Sequence, residues 1–204
     1  GGEGGKVIME IKTIPCGILK TNCYILSDEN KMGLIIDPGA DSEQIIAYLT
    51  EQQIQVKAIV NTHGHWDHIG ANIAVAEFTG APIWIHELDA PCLSDENCNL
   101  SKAFSIVGRG ATLGKTLAEG DKIQIGGIQL EVLHTPGHTQ GSISLLGNGL
   151  VFSGDTLFKG SIGRTDLPPA GSFEAIMDSI VHKLLVLPDD TVVYPGHGKL
   201  TTIG

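Results

Sequence analysis

Within the seven residues Thr62-His63-Gly64-His65-Trp66-Asp67-His68, three imidazoles and one carboxylate crowd together as they do nowhere else in the chain. Neutral imidazole and carboxylate are the side chains that hold Zn, Fe and Mn. Alternate side chains of an extended loop share a face, so His63 and His65 are set to serve one ion. Asp67 and His68, just beyond, turn toward a second. Three further stretches carry matching chemistry: His138 in Thr135-Pro136-Gly137-His138-Thr139, Asp155 in Ser153-Gly154-Asp155-Thr156, and His197 in Pro195-Gly196-His197-Gly198. Taken singly, Asp67 reads as a loop cap, Asp155 as a strand-end turn residue and His197 as an exposed turn residue. Together they read as one metal centre, since each stretch follows an apolar strand and strand ends of a sheet share a rim.

The elements that must present these loops follow from the pattern. Ala58-Ile59-Val60 is a short buried strand before the motif, and Ile69 to Phe78 reads as a helix after it. Upstream, strands are expected over Val7 to Ile11, Cys23 to Leu26 and Leu34 to Ile36. Asp41 and Gln44 have capping-box spacing ahead of a helix carrying Ile45, Ile46 and Leu49. Downstream come a strand at Pro82 to Ile85, a helical turn within His86 to Leu93, and an irregular stretch from Ser94 to Lys115 of the kind that flanks active sites. Strands return at Lys122 to Ile125, Ile128 to His134, Ser142 to Leu146 and Leu150 to Phe152. A helix over Ser172 to about Leu187 follows, with Phe173, Ile176, Ile180 and Leu184 on one face, then a strand at Thr191 to Tyr194. Strands then helix, twice over, predicts two sheets packed face to face with helices outside: an α/β, four-layer αβ/βα sandwich.

Composition narrows the partners. The 204 residues suffice for one domain, expected over 7–204, with Gly1 to Gly5 read as a cloning remnant. A net charge of -10 gives no field to gather a phosphate backbone, which argues against nucleic acid. No apolar run is long enough to span a membrane and no secretory leader is evident, so a cytoplasmic protein is expected. Cys16, Cys23, Cys92 and Cys98 have neither zinc-knuckle nor disulfide-framework spacing and read as reduced thiols, a further ground for the cytoplasm. His86, His134 and His182 read as ordinary core or surface histidines, and Trp66 equally as packing or as a cleft wall.

On the His63 to His68 pattern, followed by Gly-His, Gly-Asp and Gly-His elements in order, the chain resembles the metallo-β-lactamase superfamily. It is most similar there to glyoxalase II-like hydrolases that lack the extra C-terminal domain. The resemblance implies that His63, His65 and His138 hold one metal and that Asp67, His68 and His197 hold a second. Asp155 would bridge them, a shared carboxylate keeping two cations roughly 3.5–4 Å apart. Two divalent ions are implied, Zn foremost with Fe or Mn acceptable, and Asp67 and Asp155 become the candidate catalytic carboxylates. Asp37, before Pro38-Gly39, matches a family acid near the metal loop and is expected to orient a ligand from behind.

Fold alone does not choose a reaction. Class B1 β-lactamases carry a cysteine where Asp155 stands, which turns the expectation away from β-lactams. Gly154-Asp155-Thr156-Leu157-Phe158 with Gly163-Arg164 is similar to glyoxalase II, making Lys159 and Arg164 candidate anchors for a glutathione carboxylate. The leading expectation is a dinuclear hydrolase of small-molecule acyl thioesters, S-lactoylglutathione among them, the bridging water attacking the carbonyl carbon. Gly163-Arg164-Thr165-Asp166 also resembles persulfide dioxygenases, which use one Fe(II), so that reaction is the alternative. A lactonase or esterase, or a noncatalytic metal-binding module, ranks lower. Nothing in the sequence speaks to oligomeric state.

Overall fold

The computed structural model describes residues 9–104, 112–167 and 170–204. The leading glycines, the start of the strand expected from Val7 and part of the Ser94 to Lys115 stretch lie outside these residues.

Two six-stranded mixed sheets stack face to face. The first runs in the order β1 (Glu10–Cys16), β2 (Thr21–Ser27), β3 (Met32–Ile36), β4 (Gln55–Val60), β5 (Ile83–His86), β6 (Leu113–Leu117). The second holds β7 (Lys122–Ile125), β8 (Ile128–His134), β9 (Ile143–Gly147), β10 (Leu150–Gly154), β13 (Val192–Pro195) and β14 (Thr201–Thr202) in that spatial order. A small hairpin, β11 (Leu157–Phe158) with β12 (Ser161–Ile162), stands beside it.

The period-two alternation of side chains decides what each face does. Tyr24, Leu26, Leu34, Ile36, Ala58 and Val60 point inward and meet Ile123, Leu130, Leu145 and Phe152 of the second sheet. Their neighbours Ile25, Ile35 and Ile59 point outward, under α1 (Ser42–Gln52) and α3 (Asn72–Thr79). β2 is buried along its whole length because both faces are covered. On the far side, Ile176, Ile180 and Leu184 of α4 (Phe173–Ser179) and the π-helical turn after it pack on Val151 and Val193. Four layers result, α/β/β/α, as the repeated strand-then-helix pattern predicts.

Local differences from the sequence expectations have identifiable causes. The helix expected over Ile69 to Phe78 starts earlier, as one turn α2 (Trp66–Ile69), and breaks before resuming as α3. Asp67 and His68 therefore belong to a helical turn rather than to extended backbone. The capping box does not form: Asp41 adopts a left-handed conformation, and its carboxylate accepts the Gly17 N–H at 2.9 Å, tying α1 to the β1–β2 hairpin instead. β6 emerges from the stretch expected to be irregular, because Leu113 to Leu117 pairs with β5 across the chain, a partnership local pattern does not encode. Phe173 does not join its expected helix face and is 64% exposed.

The thiol expectation is corrected for one pair. Cys92 and Cys98 form a disulfide, their Cα atoms 4.8 Å apart, because the 3₁₀ turn Ala90–Leu93 and the turn at Asp95 fold the intervening residues back. Cys16 and Cys23 are free and buried. Expecting a cytoplasmic protein on the ground of four reduced thiols thus loses that support. Among the described residues, no helix is long and apolar enough to cross a membrane.

Candidate metal centre

Every candidate ligand leaves the C-terminal end of a strand on the same rim. β4 delivers the motif loop, β8 and β9 flank the His138 turn, β10 ends at Gly154 just before Asp155, and β13 runs into the His197 turn. Parallel pairing of β3 with β4 and of β10 with β13 aligns those ends. At Gly154 the chain takes φ 54, a left-handed value that glycine reaches without strain, and the pairing with β13 shifts register there. Asp155 is turned off the strand and over the rim.

The donors gather in two sets. Ring nitrogens of His63, His65 and His138 lie within 4.8 Å of one another, as do single donor atoms of Asp67, His68, Asp155 and His197. The carboxylate of Asp155 faces both. Its Oδ2 lies 3.4 Å from His138 Nε2 and 3.7 Å from His63 Nε2 on one side. On the other it lies 3.2 Å from His68 Nε2 and 3.3 Å from His197 Nε2. All seven residues that the sequence singled out as ligands therefore converge.

Hydrogen bonds behind the rings fix which nitrogen faces the centre. His68 Nδ1 donates to Asp37 Oδ2 at 2.8 Å, His138 Nδ1 to the Arg164 carbonyl at 2.8 Å, and His197 Nδ1 to the Leu19 carbonyl at 3.0 Å. Thr62 Oγ1 donates to Asp37 Oδ2 at 2.6 Å, so toward His63 Nδ1, 3.1 Å away, it accepts. Four rings thus carry their proton on Nδ1 and present Nε2. His65 instead turns Nδ1 inward, 3.0 Å from His138 Nε2. Asp67 is steadied by the Thr21 hydroxyl at 3.0 Å.

Charge divides the two sets. Burial, reinforced by His68 beside it, pushes His63 well below the ordinary imidazole range. Burial opposes charge on His68 too, yet Asp155, Asp67 and Asp37 hold it well above that range. Against the cost of burial, Asp155 and Asp67 raise His197 to about 9, and the same histidines keep both carboxylates well below the usual range. Divalent cations fit this chemistry. Buried His63 Nε2 and Asp155 Oδ1 lack any hydrogen-bond partner, and the donors are those that Zn, Fe and Mn accept. The opening lies over the second set, where the His197 side chain is 27% exposed and that of Asp67 11%.

Asp37 sits 1% exposed beneath the motif, accepting from Thr62 N and Oγ1 as well as His68. Lys159 is exposed in the β11–β12 turn. The Arg164 guanidinium, also exposed, is paired with its own neighbour Asp166 at 2.9 Å through both Nε and Nη2. Its backbone carbonyl, which the sequence reading gave no role, is what reaches His138. Trp66 is half-buried against Phe104, ring centroids 5.5 Å apart. His86 and His134 stack on each other at 4.3 Å, outside both donor sets. Sequence reasoning missed Asp89, fully buried between the motif loop and the His138 turn; a lone aspartate in a short turn carries no spacing signal.

Residues 16–197 match the family model of the metallo-beta-lactamase superfamily. A relative from Haemophilus influenzae, hydroxyacylglutathione hydrolase GloC, is 36% identical over 200 residues, covering 96% of this chain and 94% of its own. Among solved structures, BLEG-1 B3 metallo-beta-lactamase is 40% identical with TM-score 0.88, covering 95% of this chain and 94% of that one. TTHA1623 in a di-iron-bound form is 34% identical with TM-score 0.84, covering 94% of each chain. The rim of aligned strand ends, the His/Asp cluster it carries and the match over 182 of 204 positions have one meaning: the chain belongs to the metallo-beta-lactamase superfamily, a family of metal-dependent hydrolases.

Proposed function

We propose that the protein is a dinuclear metal-dependent hydrolase of small-molecule acyl thioesters, with glutathione thioesters such as S-lactoylglutathione as its substrate class. One observation carries the two-metal part: Asp155 Oδ2 stands between two complete donor sets, within 3.7 Å of four imidazole nitrogens. His63, His65 and His138 would hold one ion, Asp67, His68 and His197 the other, and Asp155 both. Zn is our first choice, with Fe or Mn accepted by the same donors. Bound there, the pair would supply Lewis acidity and lower the pKa of a water toward neutrality.

The chain's own residues do the rest. Asp37, Thr62 and the carbonyls of Arg164 and Leu19 take the outward ring protons, so each Nε2 already faces the centre, and His68 and His197 would give up only their Nε2 proton when metal binds. Asp155 and Asp67, held ionised by the histidines around them, supply the negative charge that two cations need. A substrate would enter over His197 and Asp67. Lys159 and Arg164 are assigned to its carboxylates, Arg164 exchanging Asp166 for the ligand. The likeness to GloC supports the thioester class.

The Gly163 to Asp166 segment favours a second reading for the same site, a mononuclear Fe(II) persulfide dioxygenase, while the two irons of TTHA1623 bear only on which metal is loaded. BLEG-1 adds a β-lactam to the panel. Protein loaded separately with Zn and Fe(II) is assayed for thioester hydrolysis, for O2 uptake with glutathione persulfide, and for β-lactam opening. Thioester turnover with two metals per chain is expected. O2 uptake with one iron per chain, and no thioester turnover, would replace the proposal by the second reading.

A further inference from the structure

We infer that Asp89 is the positioning residue of the three-histidine set, acting through Gly64 and Thr139 without touching metal or substrate; the inference rests on the metal-centre reading above. Its carboxylate is 0% exposed. Oδ2 accepts the Gly64 N–H at 2.9 Å and the Thr139 hydroxyl at 2.8 Å, and Oδ1 accepts the Gly141 N–H at 2.8 Å. Gly64 lies between His63 and His65, and Thr139 follows His138. One side chain therefore clasps both loops that carry the set.

The surroundings leave the clasp little play. A Cβ on Gly64 would fall 2.4 Å from Cys92 Cβ, and one on Gly141 would fall 2.5 Å from Asp89 Oδ1, so both loops abut the Asp89 turn where only glycine fits. That turn is itself fastened. Cys92 N–H bonds the Asp89 carbonyl at 2.9 Å and Asn99 Nδ2 the Cys92 carbonyl at 2.9 Å, while the Asn99 carbonyl takes the Trp66 N–H at 2.8 Å. Beneath the loops a backbone contact, Ile143 N–H to Thr62 O at 2.9 Å, joins the strand ends, but it lies below Gly64 and Thr139. Aligning His65 with His138 falls to Asp89.

A carboxylate is required because three donors converge and both oxygens must accept. An asparagine keeps the size but turns an N–H₂ toward one of those donors, opening one arm of the clasp. Asp37 provides the contrast, since it bonds His68 directly.

The test is equilibrium metal binding against a competing chelator, with Zn(II) and Co(II), for the wild type, Asp89→Asn, Thr139→Val and Asp37→Asn. Histidine ring nitrogen NMR identifies which rings are bound. Asp89→Asn is expected to weaken one ion by about 10- to 100-fold. His65 and His138 would lose their bound-ring signals first while His197 keeps its own, and Asp37→Asn would reverse that order. Thr139→Val removes one donor and should shift the same ion in the same direction by a few-fold, so it decides the matter if Asp89→Asn does not fold. Wild-type affinity for both ions in either Asp89→Asn or Thr139→Val, or equal weakening of both, overturns the assignment. Should the wild type bind a single ion on His63, His65 and His138, the two-metal reading falls, and the variant-to-wild-type ratio at that ion still judges Asp89.

Discussion

Asp37 and Asp89 close the same rim from opposite sides, and they differ in reach. Asp37 bonds a candidate ligand itself, taking the His68 ring proton, and sits among groups that carry charge. Asp89 bonds no ligand; burial lifts its own pKa, and it holds backbone and a hydroxyl beside rings whose deepest member, His63, burial keeps neutral. The comparison separates two ways of building a metal site. One fixes the proton and charge of a ligand; the other fixes the distance between the loops that bring ligands together.

Asp155→Ala sets the ceiling, since Oδ2 faces both sets. Metal content should fall from two to below one per chain, and thioester turnover by on the order of a thousandfold; a variant that retained two ions would dissolve the distinction between the sets. Asp37→Ala comes next. It leaves His68 Nδ1 and the two Thr62 donors buried without their acceptor, and metal-free protein should lose about 1–3 kcal/mol in denaturant unfolding. An unchanged midpoint would remove the charge-fixing role. Gly141→Ala strikes the other side without altering any charge. Its Cβ, 2.5 Å from Asp89 Oδ1 and 2.6 Å from Asp89 N, should cost about 1–3 kcal/mol and loosen the three-histidine set, read by chelator competition.

The charged set also predicts a pH dependence. His197 rises to about 9 in the folded, metal-free protein against about 6.5 unfolded. Its contribution is therefore fully present below the unfolded value and is lost as pH climbs through 9. The unfolding free energy of metal-free protein should fall over that interval by up to about 1.4 kcal/mol per pH unit, read as a falling thermal midpoint, and His197→Gln should flatten the fall. The smallest effect is reserved for Arg164→Ala. The His138 contact uses the backbone carbonyl and survives, so KM for a glutathione thioester should rise by about threefold with kcat unchanged. A matching loss of kcat would mean that the substitution disturbed His138.

Legibility followed locality. The motif loop, the strand ends and the Gly-His and Gly-Asp turns could be recognised because each carries its signal within a few residues. Asp37, at a strand end before Pro38-Gly39, reads locally as a plain turn, and the family resemblance is what singled it out. Asp89 was not: its importance depends on Gly64 and Gly141 arriving from elsewhere, and a sequence window around it shows only a short polar turn. β6 was hidden likewise, its partner β5 being the source of its order. The Asp41 cap failed for the opposite cause, a convincing local signal overridden when Gly17 offered its N–H. The Cys92–Cys98 pair escaped because its spacing belongs to no common framework, and only the folded turn brings the two together.

The anchoring of His197 has a consequence for the order in which the molecule assembles. Its ring proton goes to Leu19, a separation of 178 residues, and the turn around it is held by Asn22 and Tyr24 through bonds to Pro195 and Gly198 that span 171 to 176. Contacts of that span form late, after most loop-closure entropy has been spent. On the ribosome, the three-histidine set exists as sequence once residue 138 has emerged, while the second set waits for β13 and the turn after it. A nascent chain therefore carries the first three histidines well before His197, which joins the second donor set only when the β1–β2 hairpin closes against the turn after β13.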